Sequence, residues 1–124
     1  MATTMREIMS PAPVCMGPAD SVADAALAMR DRAIGTVLVL TGGQLSGLVT
    51  DRDITTRVLA EGRDPGATTL AEICSDDLAV LGPDDGLERA SRLVRERAVR
   101  RIPIVEDGVP VGVVSAGDLA LANN

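Results

Sequence analysis

Hydrophobic and polar positions follow one another along the chain in blocks that predict short strands and amphipathic helices. The run Thr36–Thr41 is apolar or β-branched throughout, as in a buried strand, and the return strand of a hairpin is predicted at 45–49. Gly42-Gly43 separates the two strands, which is typical of a tight hairpin turn. Before this hairpin, an extended segment is predicted at 13–16 and a helix over Val22–Arg32, which follows a capping serine.

A second helix is predicted directly after the hairpin. Thr50 stands where the return strand meets this helix, and Asp51 and Asp53 lie in its first turn, where acidic residues are favourable. The linker 61–66, rich in glycine and charge, ends the helix. The inner face of the helix is expected to consist of Ile54, Val58 and Leu59.

The same order of elements then returns. A brief turn at 70–73 leads into a predicted leading strand at 78–81 and a helix over Leu87–Arg97. A hairpin follows around Asp107-Gly108, and its strands are predicted at 102–106 and 109–114, with a final short helix at 118–122.

The chain is an internal duplication with a constant offset. Gly47-Leu48-Val49-Thr50-Asp51-Arg52-Asp53-Ile54 returns as Gly112-Val113-Val114-Ser115-Ala116-Gly117-Asp118-Leu119, and 118 − 53 = 65. Two copies predict two like units related by a pseudo-twofold axis, with paired clefts between them. We place the first repeat and its N-terminal segment at 1–62, and the linker with the second repeat at 63–124.

The first helices of the two repeats differ in polarity. Val22–Arg32 has little polar surface, whereas Leu87–Arg97 has an apolar stripe and several exposed arginines. A second subunit that covers the first helix would explain this difference. An alanine-rich helix also needs no partner, and the sequence leaves both explanations open.

Composition removes several classes of function. The 124 residues include 18 acidic and 12 basic side chains, the latter all arginine, for a net charge of −6, and no histidine or aromatic residue is present. Lysine is absent too. The commonest general base and metal ligand is therefore missing, and no metal site is expected. Because the chain is acidic and has no ring to stack on bases, nucleic acid is not an expected partner.

The sequence also predicts a cytoplasmic protein with no membrane partner. No apolar run approaches the roughly 18 residues that a membrane span requires, and the N-terminal residues lack the apolar stretch of a signal peptide. Cys15 and Cys74 do not correspond under the offset. We expect both to be reduced, partly buried thiols.

The duplicated motif, Gly-h-h-Thr/Ser-x-x-Asp with h apolar, carries the candidate chemistry. Thr50 and Ser115 each end a strand at a helix start, where free backbone N–H groups attract anions. Asp53 or Asp118, one turn later, can accept both hydroxyls of a ribose. The alternative is that the hydroxyl is only a helix cap and the aspartate only favours the helix dipole.

The duplicated motif, together with Val99-Arg100-Arg101-Ile102-Pro103-Ile104-Val105, resembles a tandem pair of cystathionine-β-synthase (CBS) domains, or Bateman module. With Met9-Ser10-Pro11 at the front, it is most similar to stand-alone bacterial CBS-pair proteins of the hypoxic-response type. The resemblance implies an α/β fold of two pseudo-symmetric β-α-β-β-α repeats packed through their sheets. It also implies a homodimer and regulatory binding of adenine nucleotides, chiefly AMP, ADP or ATP, less often NAD or S-adenosylmethionine. No cofactor is required.

The resemblance further implies two ligand sites, in each of which the aspartate of one repeat faces the adenine pocket of the other. Site one joins two motif residues to the second repeat: Thr50, Asp53, Ala79, Val80, Val99, Arg100, Arg101 and Ile102. Site two joins the other motif to the first repeat: Val14, Cys15, Ile34, Gly35, Thr36, Val37, Ser115 and Asp118.

The two sites are not expected to be equal. Arg100 and Arg101 stand where family members place basic residues on phosphates, so site one should bind phosphorylated adenosine better, and Asp53→Ala should abolish that binding. Family members often have threonine near adenine on the leading strand. Cys15 and Val80 occupy those positions here, which weakens a polar contact.

Three classes of function are weighed on these features. A nucleotide-binding regulatory module, read by a separate effector protein, is favoured by an intact aspartate in both repeats. A structural or stress-response homodimer without a ligand, acting through protein–protein contacts, is favoured by Cys15 and Val80. An enzyme is disfavoured, because neither cysteine is paired with a base.

Overall fold

The computed structural model describes residues 3–123, which form two compact units. One unit comprises residues 14–78, and the other comprises the residues up to 13 together with those from 79 onward. Each is a mixed α/β unit built on its own three-stranded sheet, which confirms the expected fold class. Within the described part of the chain, no helix is both long enough and apolar enough to cross a bilayer.

Six α-helices and six strands are described, with one π-helical turn. In chain order they are α1 (Met5–Ile8), β1 (Ser10–Pro11), β2 (Cys15–Met16), α2 (Val22–Arg32), β3 (Thr36–Thr41), β4 (Gln44–Thr50), α3 (Asp51–Ile54), the π-turn (Thr55–Leu59), α4 (Leu70–Ile73), α5 (Leu87–Arg97), β5 (Arg101–Glu106), β6 (Val109–Ser115) and α6 (Ala116–Ala122). α2, α5 and β3 have the predicted bounds. The other strands of the hairpins and α6 are one or two residues longer than expected.

The unit of residues 14–78 packs α2 and α4 against a sheet of order β2-β3-β4. β2 is parallel to β3, and β3 is antiparallel to β4 in a register that sets Thr36 opposite Thr50. Gly42 and Gly43 both have positive φ, as a two-residue hairpin turn requires. The core of this unit is aliphatic: Val22, Ala25, Met29, Val37, Val39, Val49, Val58, Leu70 and Ile73.

The inner face predicted after Thr50 is wrong at one residue. Val58 is fully buried and Ile54 packs against the core, but Leu59 is 62% exposed. Successive residues of a helix point in directions roughly 80–100° apart, so Val58 and Leu59 cannot both face the core, and Val58 takes the buried position. The helix contains a π-turn here, in which Ala60 N–H donates to Thr55 O, five residues earlier.

The second unit has the same helix and hairpin order, but in its sheet of order β1-β6-β5 the short strand β1 pairs antiparallel with the second hairpin strand, β6. β5 and β6 are antiparallel, and their register sets Arg101 opposite Ser115 as Thr36 is set opposite Thr50. Asp107 and Gly108 form the hairpin turn with positive φ. The core is again aliphatic, formed by Met5, Leu81, Ala90, Ile102, Ile104, Val114 and Leu119.

The leading strand predicted at 78–81 is reduced to a single bridge, Leu81 with Ile104. In the first repeat, Leu38 N–H donates to Val14 O at 2.9 Å and extends the pairing of β2. The residue 65 positions later is Pro103, which has no N–H to donate to Ala79. The pairing therefore stops one step earlier in the second repeat.

Two short helices extend the duplication beyond the segments recognised from the sequence. α1 and α4 lie 65 residues apart, and Thr4-x-x-Glu7 corresponds to Thr69-x-x-Glu72. Their first N–H groups donate to equivalent carbonyls: Met5 to Asp85, and Leu70 to Asp20, each at 2.9 Å. α1 belongs to the unit of residues from 79 onward, and α4 to the unit 14–78. The repeat boundary at 62/63 stays a prediction, because compact units and sequence repeats are different divisions.

Candidate functional site

Both copies of the motif lie at the same structural junction, where the last strand of a hairpin runs directly into a helix. β4 ends at Thr50 and α3 begins at Asp51, while β6 ends at Ser115 and α6 begins at Ala116. The glycine at the front of each motif is packed without space for a side chain. A Cβ on Gly47 would lie 2.7 Å from Cys74 Sγ, and a Cβ on Gly112 would lie 2.5 Å from Met9 Sδ.

Thr50 and Asp53 form a reciprocal capping box. Thr50 Oγ1 accepts a hydrogen bond from Asp53 N–H at 3.2 Å, and Asp53 Oδ2 accepts from Thr50 N–H at 2.8 Å and from its hydroxyl at 3.1 Å. This arrangement satisfies two backbone groups that a helix start otherwise leaves unpaired. Asp53 Oδ1 takes no part in the box.

Ser115 and Asp118 repeat this arrangement at the start of α6. Ser115 Oγ accepts from Asp118 N–H at 3.0 Å, and Asp118 Oδ2 accepts from Ser115 N–H at 2.9 Å. The capping role, which the sequence analysis treated as an alternative to ligand binding, is therefore present in both copies. One carboxylate oxygen in each copy stays outside it.

The Thr50 capping box lies beside the start of β3. Gly35 O accepts a hydrogen bond from Asp51 N–H at 3.0 Å, and Thr36 is the register partner of Thr50. Thr36 Oγ1 is buried, and it has no hydrogen-bond partner among the described residues. The same unit contains the other residues assigned to site two from the first repeat: Val14, Cys15, Ile34 and Val37.

The Ser115 capping box lies beside the start of β5. Arg100 O accepts from Ala116 N–H at 2.9 Å, and Arg101 is the register partner of Ser115. Within residues 3–123, neither guanidinium is engaged in an ion pair. The same unit contains the other residues assigned to site one from the second repeat: Ala79, Val80, Val99 and Ile102. Ile102 is fully buried, whereas Val80 is 44% exposed.

Within each unit, then, a motif aspartate lies beside a segment that the sequence analysis assigned to the other site. Thr50 and Asp53 are next to Gly35 and Thr36, and Ser115 and Asp118 are next to Arg100 and Arg101. The grouping into two composite sites stays a prediction.

Arg57 contacts Asp53 and was missed by the sequence analysis. Its Nε lies 3.8 Å from Asp53 Oδ1, and its Nη1 donates to Ile73 O at 3.1 Å. The spacing of four residues on a helix was the signal for the first contact. The second contact joins residues 16 apart and left no local trace in the sequence.

The two cysteines are thiols with different surroundings. Cys74 is half-buried, as expected, whereas Cys15 is exposed, which corrects the expectation of partial burial. Although Cys15 as a residue is exposed, neighbouring atoms shield part of its sulfur from water, and this raises the pKa of its thiol. Burial, together with Asp76, raises the pKa of Cys74. Nucleophilic cysteines have a lowered pKa, so neither thiol has the character of a catalytic nucleophile. The described residues include no cluster of side chains suited to a metal ion.

Comparison with known proteins gives two matches to one family model, described as the CBS domain, over residues 5–60 and 70–123. The CBS domain-containing protein YhcV of Bacillus subtilis is 36% identical over 119 residues, which are 96% of this chain and 84% of that protein. Hypoxic response protein 1 of Mycobacterium tuberculosis is 32% identical over 119 residues, 95% of this chain and 83% of that protein. A hexameric CBS-CP12 protein from bloom-forming cyanobacteria has a TM-score of 0.91 at 28% identity, covering 100% of this chain and 74% of that one.

Proposed function

The chain belongs to the CBS-domain family, and on that premise we propose that it is a regulatory module that binds an adenine nucleotide, AMP or ATP. One observation carries the proposal. Asp53 and Asp118 each have one carboxylate oxygen fixed by a capping box and a second oxygen outside it. A carboxylate held in this way can accept charge-assisted hydrogen bonds from the adjacent hydroxyls of a ribose without further ordering.

The phosphate of the nucleotide requires positive charge, and Arg100 and Arg101 supply it. Two adjacent guanidinium groups at the start of β5 can each offer a forked pair of donors to phosphate oxygens. The corresponding positions of the first repeat are Gly35 and Thr36, which carry no charge. We therefore propose that site one, to which Arg100 and Arg101 are assigned, prefers phosphorylated adenosine.

In the regulatory role, ligand binding changes the relative stability of two arrangements of the protein, and an effector protein responds to that change. We propose a homodimer as the assembly in which this occurs. The exposed Leu27 on α2 is consistent with a partner subunit, because its counterpart in α5 is the charged Arg92. The family is regulatory, and no catalytic family is indicated for the chain.

A second candidate function is a structural or stress-response homodimer that binds no nucleotide. The completeness of both capping boxes favours it, because Thr50, Asp53, Ser115 and Asp118 then have a role without any ligand. The absence of threonine at positions 15 and 80 favours it as well.

Absorbance of the purified protein separates these two functions. With no aromatic side chain, the chain is nearly transparent between about 250 and 290 nm, so bound adenine is visible directly near about 260 nm. The regulatory proposal expects an adenine compound to be released on heat denaturation, or heat on titration with AMP, ATP or NAD. A blank spectrum together with no heat would favour the structural homodimer.

A further inference from the structure

Arg57 distinguishes the two motif copies. Its guanidinium contacts two acceptors through two different nitrogens: Nε lies 3.8 Å from Asp53 Oδ1, and Nη1 donates to Ile73 O at 3.1 Å. The contacted carboxylate oxygen is the one that the capping box leaves free. We propose that Arg57 is a positioning residue for Asp53, an inference that rests on the proposed function and adds a residue to it.

The π-turn gives Arg57 its place. Arg57 lies in the middle of Thr55–Leu59, four residues after Asp53 and next to the fully buried Val58. π-turns inside helices occur frequently at functional sites. Here the neighbouring Val58 anchors the turn in the core, while the arginine extends to the carbonyl at the end of α4.

The contact with Ile73 O fixes the guanidinium, and the fixed guanidinium in turn restrains Asp53. The acceptor belongs to the last residue of α4, where a cation is also favourable for the helix end. Asp53 is held on Oδ2 by the capping box and faces a fixed positive charge on Oδ1. Both oxygens of the Asp53 carboxylate are therefore oriented before a ribose binds. The guanidinium also partly offsets the negative charge of Asp53, which would otherwise repel a phosphate.

The second repeat has no equivalent residue. The position 65 residues after Arg57 is Ala122, the last residue of α6. Asp118 therefore lacks a cation one turn later in the chain, and the two aspartates differ although their capping boxes are alike. Arg57 is expected to strengthen ribose binding at Asp53 only.

Arg57→Lys is the informative variant, because lysine keeps the charge but has one nitrogen in place of the two that contact Asp53 and Ile73 O. Calorimetric titrations with AMP and with 2′,3′-dideoxy-AMP give the readout. We expect Arg57→Lys to lower the affinity for AMP by about two- to fivefold, the effect of a half-exposed ion pair, and to leave the affinity for the dideoxy ligand unchanged. Arg52→Lys, in the exposed first turn of α3, is the matched control and should change neither affinity.

Equal losses for both ligands would overturn the proposal, because they would indicate a general structural effect. Unchanged affinity for AMP would overturn it as well. A wild-type protein that binds neither ligand would refute the proposed function. In that case a measurement without ligand tests whether Arg57 and Asp53 interact. Arg57→Lys should lower the urea midpoint less in an Asp53→Asn background than in the wild type. Equal losses in the two backgrounds would show that Arg57 and Asp53 do not interact.

Discussion

Thr36 shows how a single residue can oppose the stability of the fold. Among the described residues its buried hydroxyl oxygen has no hydrogen-bond partner, and a buried polar group in that state costs about 1–3 kcal/mol. Valine has nearly the same shape and no hydroxyl. We therefore predict that Thr36→Val raises the free energy of unfolding of the ligand-free protein by about 1 kcal/mol in urea titrations.

Thr50→Val is the control for this prediction. The Thr50 hydroxyl both accepts and donates a hydrogen bond in the capping box, so its removal should lower the free energy of unfolding by about 1 kcal/mol. A destabilised Thr36→Val variant would contradict the interpretation of Thr36 as an unsatisfied group.

Gly47 is predicted to tolerate no side chain. An added Cβ would lie 2.7 Å from Cys74 Sγ, closer than real contacts of this kind. Gly47→Ala should therefore lower the free energy of unfolding by about 1–3 kcal/mol. Part of that loss should be recovered in a Cys74→Ala background, because the clashing sulfur is gone.

The control is Gly117→Ala in α6, where the nearest atom to an added Cβ is Ser115 Oγ at an ordinary 3.6 Å. Alanine is the better helix former, so this variant should be neutral or slightly more stable. Additive losses in Gly47→Ala and Cys74→Ala would show that the sulfur is not what excludes the side chain.

Which residues could be identified from the sequence depended on how local their partners are. The capping pairs Thr50–Asp53 and Ser115–Asp118 span three residues, so a local pattern predicted them. The contact of Arg57 with Ile73 O depends on tertiary packing, and no hydrophobic period signals the π-turn at Thr55–Leu59.

At the scale of elements, the longer helices and the hairpins were predictable, and the shortest elements were not. α1 has only four residues, less than the window in which periodicity can be detected. Its signal was instead the repeated Thr-x-x-Glu box at the constant offset. The expected strand at 78–81 was limited by Pro103, whose missing N–H acts on a partner more than 20 positions away.

Glu72 links the stability of α4 to pH. The Thr69 N–H donates to Glu72 Oε2 at 2.7 Å, and this bond, aided by Arg63, lowers the pKa of Glu72. A carboxyl with a lowered pKa in the folded state stabilises the protein above its unfolded pKa, and this contribution is lost as the pH falls through the folded value. Glu72→Gln should therefore lower the urea midpoint at neutral pH, and this difference should shrink as the solution is acidified.

The measurement is the urea midpoint of the wild type and of Glu72→Gln from neutral pH down into the acid range. Glu61→Gln, an exposed carboxyl in the linker, controls for the loss of one negative charge. A midpoint difference for Glu72→Gln that stays constant with pH would contradict the role of the ionised carboxylate.

At the scale of the whole molecule, the duplication explains why the two units are alike. The residues that differ between the copies give the two units different chemistry. The offset of 65 residues brings identical junctions to both units, from the hairpin register to the capping box. Three of the differences between the copies fall at the candidate sites: Thr36 against Arg101, Gly35 against Arg100, and Arg57 against Ala122. The duplicated scaffold and the charge difference at Arg100 and Arg101 were evident from the sequence, whereas the contact of Arg57 with Ile73 O required the structure.

The most direct test of nucleotide binding is a calorimetric titration of AMP into the wild-type protein and its Asp53→Asn variant. Asparagine keeps an oxygen that can accept from Thr50 N–H, so the helix start is preserved while the carboxylate is lost. We predict that the wild type binds AMP and that Asp53→Asn weakens binding by at least about tenfold, the effect of losing a charged hydrogen-bond acceptor. No heat with the wild type, or equal affinity in the wild type, Asp53→Asn and Asp118→Asn, would contradict the account.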